Sequence, residues 1–115
     1  MMQHASLENG RWAAMPLYEQ MANIGSETSR IYKALVAGKE SRAESSFVRF
    51  QELLDLTIQF GRQNESASAR DAMWEECCRF RELYCDAYLR RDLKDLASLN
   101  KYLDQFASIA TRKRL

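Results

Sequence analysis

A chain of 115 residues has room for one domain around a single core. Its 46% hydrophobic and 29% charged residues exclude a disordered polymer, and one Pro with four Gly is too few for an all-β chain of many tight turns. The formal net charge of +1 supplies no strong field toward nucleic acid or an anionic membrane, and no apolar run is long enough to span one. Residues 1–15 lack an apolar core segment and carry Glu8 and Arg11, so they do not read as a secretory signal. Of the three cysteines, Cys77 and Cys78 adjoin and cannot easily bridge, and Cys85 lies too far along the same predicted helix to bond to either. Reduced thiols of this kind point to a cytoplasmic setting.

Taken in order, residues 1–15 read as an N-terminal arm with a turn signal at Asn9-Gly10. Trp12 and Met15 make it apolar enough to dock on a domain formed by residues 16–115. Pro16 suits the first turn of a helix, where its missing N–H costs nothing, and Gly38 marks the stop after about Ala37. Leu17, Met21, Ile24, Thr28, Ile31 and Leu35 recur at spacings of four and three, which is a bundle seam. Gly25 interrupts the good helix formers at a cost of about 1 kcal/mol relative to Ala, so a neighbouring helix is expected to come close there.

A second helix should start between Lys39 and Ser41 and end at Gly61. At about 100° per residue, Phe47, Phe50, Leu54 and Ile58 share one face, and Leu53, Leu56 and Phe60 fall nearly opposite, beside Arg49. A helix apolar on two flanks must be packed on two sides. Either the arm covers the second flank through Trp12 and Met15, or a second copy covers it by two-fold symmetry; the homodimer is the preferred expectation. Gln63 to Ser68 is the clearest loop, with Asn64, Ser66 or Ser68 available as a cap for the helix that follows.

The third helix should cover about Ala69 to Arg90, with Met73, Cys77, Phe80, Tyr84, Ala87 and Tyr88 on its apolar face. Arg81 lies on that apolar side. Arg91 to Ser98 reads as a charged link, with Asp92 or Ser98 capping a fourth helix that reaches about Arg112. These elements predict an all-α, antiparallel up-down four-helix bundle with an N-terminal arm.

Little chemistry is legible. Di-iron bundles need Glu-x-x-His pairs, and the single histidine, His4, sits in the arm; the adjacent thiols lack zinc-ligand spacing. No metal or cofactor is expected, no Gly-rich phosphate loop is present, and no base marks a cysteine as an activated nucleophile. Two polar residues call for partners: Glu27, which borders the first seam, and Arg81. An isolated buried charge is very costly, so Arg81 should reach a carboxylate, Glu27 first and Asp55 second, with Arg30 and Arg49 as the other candidate partners for those acids. Such a cluster is either a register-fixing ion pair, the preferred reading, or a pocket for a small anion or polar ligand.

Asn23-Ile24-Gly25-Ser26-Glu27 with Arg30, then Glu52 to Ile58, then Arg79-x-Arg81-Glu82-x-x-Cys85-Asp86, then Asn100-Lys101-Tyr102 with Phe106-Ala107, resemble a family of uncharacterised small prokaryotic proteins. The resemblance runs from about Trp12 to Arg112 and departs between Gln63 and Trp74 and between Leu89 and Leu99, where the family pattern carries Trp and Gly-rich turns. It implies that the polar residues just named form a shared cluster, and it implies no activity. The segment Ile24 to Glu27 is also faintly similar to helical RNA-directed domains of the HEPN type, but their Arg-then-His catalytic signature is missing.

Three functions follow as expectations. The first is a non-enzymatic interaction or assembly module that associates with itself through Leu53, Leu56, Phe60 and Trp12, or a small-ligand bundle with an Arg/Glu pocket. The second is a HEPN-like domain without nuclease chemistry. The third, passive RNA binding through Arg90, Arg91 and the basic end at Arg112 to Arg114, is disfavoured by the near-zero net charge.

Overall fold

A computed structural model describes residues 5–60 and 66–114, and among them the chain is all-helical. Five helices follow one another: α1 Ala5–Ala14, α2 Leu17–Val36, α3 Glu40–Gln59, α4 Ala67–Leu89 and α5 Leu93–Arg114. His4, Gly61 and most of the expected loop from Gln63 lie outside the described residues.

The expected arm is largely a helix. Its tenth residue, Gly10, is exposed and crowds nothing, so the Asn9-Gly10 signal is absorbed within α1 rather than ending it. Burial of Trp12 stabilises the helix: its side chain is 3% exposed, and its indole Nε1 donates to Thr57 Oγ1 on α3 at 2.8 Å. Gln20, fully buried in the first turns of α2, donates from Nε2 to the carbonyls of Trp12 and Met15, each at 3.0 Å. The Trp12 carbonyl, near the end of α1, also accepts from Met15 N–H at 3.1 Å, so the Gln20 amide ties the close of α1 to the start of α2.

Of the two coverings expected for the second flank of α3, the N-terminal segment is the one seen within the chain. Within one chain Leu53 and Leu56 are buried and Phe60 is half-buried against the core, and α1 packs on α3. Trp12, Leu53 and Leu56 belong to one core cluster of this chain.

Two turns of the same design reverse the chain. After α2, Gly38 takes φ +71°, so that Lys39 N–H reaches Ala34 O at 2.8 Å and Gly38 N–H reaches Leu35 O at 3.1 Å. This satisfies carbonyls left over by the helix end, and glycine adopts the required conformation without a Cβ penalty. After α4 the same pattern recurs with Arg91 in the left-handed position, φ 53°. Asp92 N–H reaches Ala87 O and Arg91 N–H reaches Tyr88 O, each at 3.0 Å. Asp92 Oδ1 then accepts from Asp95 N–H at 3.1 Å, which caps α5 and starts it at Leu93. That bond, followed by the Arg90 guanidinium, holds the Asp92 carboxyl below the usual carboxylate range. The expected link from Arg91 to Ser98 is thus mostly helix, because Asp92 rather than Ser98 is the cap.

Helix α2 lies at the centre, packed along both α3 and α5. At Gly25 an added Cβ would stand 3.2 Å from Leu103 Cβ, which is the close helix approach the sequence called for. Helix α4 is held off by an aromatic layer: Phe50 meets Tyr84 at 4.6 Å between ring centroids, Phe47 stacks on Tyr88 at 3.9 Å, and Phe80 meets Tyr102 at 5.8 Å.

Two phenols in this layer are hard to ionise. Burial pushes Tyr84 far above its ordinary range. Burial and the hydrogen bond donated to Glu76 Oε1 at 2.8 Å push Tyr102 up to about 12. An unfolded tyrosine ionises near pH 10, so above that value the unfolded chain releases its protons first. Stability contributed by these phenols is fully present below about pH 10 and is lost as pH rises toward the native value. Thermal midpoints measured across that window should fall, and Tyr102→Phe should flatten part of the decline. A midpoint independent of pH there would remove this account.

Candidate functional site

The polar cluster expected from sequence separates into two. Glu27 is buried on α2, and its carboxylate accepts from two guanidiniums: Arg30 Nη1 at 2.7 Å to Oε2, and Arg49 Nε at 3.3 Å to Oε1. Arg49 also donates from Nη2 to the buried Ser46 Oγ at 3.2 Å. Arg81 does not join them. It donates to Asp55 and, from Nη2, to the Gln51 carbonyl at 3.3 Å, on the α3–α4 side. Helix α3 stands between the two groups, since Arg49 and Asp55 point about 120° apart around it. Arg81 is a half-exposed edge residue, so the first-choice partner, Glu27, gives way to Asp55, the second. With Asp55 44% exposed, the pair is worth at most about 1 kcal/mol.

Around Glu27 the helices leave a cleft of about 610 Å³, lined by Arg30, Lys33, Ala34, Ala37, Lys39, Arg42, Ser46 and Arg49. Five of these are cations, and no acid stands in the wall. Lys33, Lys39 and Arg42 make no ion pair among the described residues. Glu27 is not part of the wall, but it accepts from Arg30 Nη1 and Arg49 Nε and so holds two of the wall's guanidiniums, while Arg49 Nη2 is taken by Ser46. The N-terminus of α3 opens here as well. No side chain caps it at Lys39, so its first-turn N–H groups add positive potential. The net charge of +1 conceals this separation of charge.

Two basic residues elsewhere are neutralised. Arg90 contacts Asp86, Asp92 and Asp95 at 2.9 to 3.1 Å, and Arg91 contacts Glu40 at 3.2 Å and lies over the Tyr88 ring, 4.4 Å from its centroid. The passive RNA surface expected at Arg90 and Arg91 is therefore occupied internally. Arg112 is exposed, while the side chains of Lys113 and Arg114 lie outside the described residues.

Cys77 is buried among the aromatic residues, and burial pushes the Cys85 thiol up, with Arg81 only partly opposing it. Among the described residues no group of three His, Cys, Asp or Glu side chains could hold a metal ion. No described helix is long and apolar enough to cross a membrane.

No family model matches the chain, and neither the curated proteins nor the solved structures contain a match. The geometry of the cleft thus stands without a relative to interpret it.

Sequence reasoning found Glu27, Arg30 and Arg49 but missed Lys33, Lys39 and Arg42. A signal was available. Lys33 and Arg42 have no acid three or four residues away on their own helices, so neither can pair locally. Three such cations around one short turn mark a local excess of charge.

Proposed function

We propose that this protein is a non-enzymatic binding module, an up-down bundle of α2 to α5 with α1 laid across α3, whose α2–α3 cleft takes a small anion. The observation that carries this reading is the composition of the cleft wall: Lys33, Lys39 and Arg42 without acidic partners, beside two guanidiniums oriented by one buried carboxylate. Charge-assisted bonds from such donors are the strong ones, and paired guanidinium N–H groups match the edge of a phosphate or carboxylate. The wall holds no carboxylate or imidazole, and its Ser46 hydroxyl is engaged by Arg49, which supports binding over turnover as the reading. Self-association is not part of this reading, because α1 fills the surface that argued for it.

Calorimetric titration with pyrophosphate tests the proposal. Wild-type protein should bind it, more weakly as salt rises. Arg42→Glu, on an exposed residue, should leave the helical circular dichroism unchanged and weaken binding at least tenfold. Equal binding by the variant, or none by wild type, would overturn the reading. RNA cleavage lost on Arg79→Ala would favour the HEPN-like alternative instead.

A further inference from the structure

We infer that the ligand of the cleft is a phosphorylated polyol, held by its phosphate in the cationic cleft and by its hydroxyls in a second trough beside it. This inference rests on the anion-binding reading and adds the other half of the ligand. The second trough, of about 340 Å³, lies between α2 and α5 and shares Arg30 and Lys33 with the cleft. Those two side chains form the ridge between them, so a single molecule can touch both.

The trough differs in chemistry from the cleft. Ser26 and Ser29 from α2 and Asp104 from α5 line it. Asp104 makes no ion pair among the described residues. A lone carboxylate repels a second phosphate but accepts readily from hydroxyl groups, and serine hydroxyls both donate and accept. The ligand therefore has an anionic end and an uncharged, hydroxylated end, and Asp104 sets which way round it lies. Small residues form the floor. Ala22 and Ala107 add little bulk, and the 3.2 Å approach of Leu103 to Gly25 brings α2 and α5 together, so that Ser29 and Asp104 line one trough. The nearness of Lys33 and Arg30 to both compartments matches the adjacency of phosphate and hydroxyl carbons in a sugar phosphate.

Titrations of the full chain with inorganic phosphate, ribose 5-phosphate and free ribose separate the possibilities. Ribose 5-phosphate should bind roughly tenfold more tightly than phosphate, and free ribose should not bind measurably. Asp104→Ala and Ser29→Ala should each erase most of that advantage without lowering the affinity for phosphate. Adenosine 5′-monophosphate, run in parallel, distinguishes the two sources of the same chemistry: equal or tighter binding assigns a nucleotide, and weaker binding a free sugar phosphate. If phosphate and ribose 5-phosphate bind equally, the polyol inference fails and the anion cleft stands. A rise in affinity for both on Asp104→Ala, with their ratio unchanged, also overturns it, since Asp104 would then only repel anions. If neither ligand binds to folded protein, the cleft reading itself fails.

Discussion

Trp12→Ala should lower the stability of the whole chain by about 3–5 kcal/mol, the range for truncating a large buried aromatic side chain. The effect is large because one residue fastens α1 to α3. The indole is almost fully enclosed, and its N–H is bonded to Thr57 at 2.8 Å. Trp12→Phe keeps most of the apolar contact and loses the bond to Thr57, so it should cost about 1–2 kcal/mol. Urea denaturation followed by circular dichroism distinguishes the two. Domains of this size have only about 5–15 kcal/mol in total, so the alanine variant should show a markedly lower midpoint. It should also show a shallower slope if α1 detaches before the rest unfolds. A loose N-terminal arm would give neither change, and an unaltered midpoint would show that α1 contributes nothing to the core.

Glu27→Lys should be nearly as damaging, at about 3–5 kcal/mol, because it places a cation where a buried carboxylate serves two others. The Glu27 side chain is 9% exposed. Arg30, 59% exposed, can turn into solvent, but Arg49, 31% exposed and bonded to buried Ser46, cannot retreat as easily. Most of the cost therefore falls on the Arg49 side. Glu27→Gln keeps an acceptor and the shape, and should cost about 1–3 kcal/mol. Thermal melts of the three proteins give the order directly. A lysine variant melting within a degree or two of wild type would mean that Glu27 is not the anchor of the cleft wall.

How much of this was readable in advance depends on whether the deciding contact is local. The stop at Gly38 is local, since only a residue without Cβ takes φ +71° freely, and Gly38 announces it. The stop at Arg91 has the same geometry and no such announcement. An arginine is tolerated there because its side chain bonds the Tyr88 carbonyl at 2.6 Å and Glu40 at 3.2 Å, and the second of these contacts comes from a distant part of the chain. The helicity of residues 5–14 was hidden for a similar reason. Its support is Thr57 on α3 and Gln20 on α2, and neither is visible in a stretch containing Asn9-Gly10. Gly25 marked its own close contact.

The candidate site was half legible. Glu27 stood out as an acid beside an apolar seam, and Arg30 and Arg49 were named as possible partners for the acids. Choosing between Arg81 and Arg49 requires the rotation of α3 relative to α2 and α4, and no residue spacing within one helix contains that angle. The unpaired cations at Lys33 and Arg42 could have been noticed by asking which charges lack a local counterpart.

Arg91 illustrates a conflict between two levels of order. Glycine at that position would relieve the left-handed backbone, yet it would also set loose the carboxylate of Glu40, which opens α3 one residue after Lys39. An unrestrained Glu40 would leave the first turn of α3 without its tie to the turn between α4 and α5. The turn between α4 and α5 thus tolerates a poorer local conformation while its side chain links two helix hairpins that are far apart in sequence.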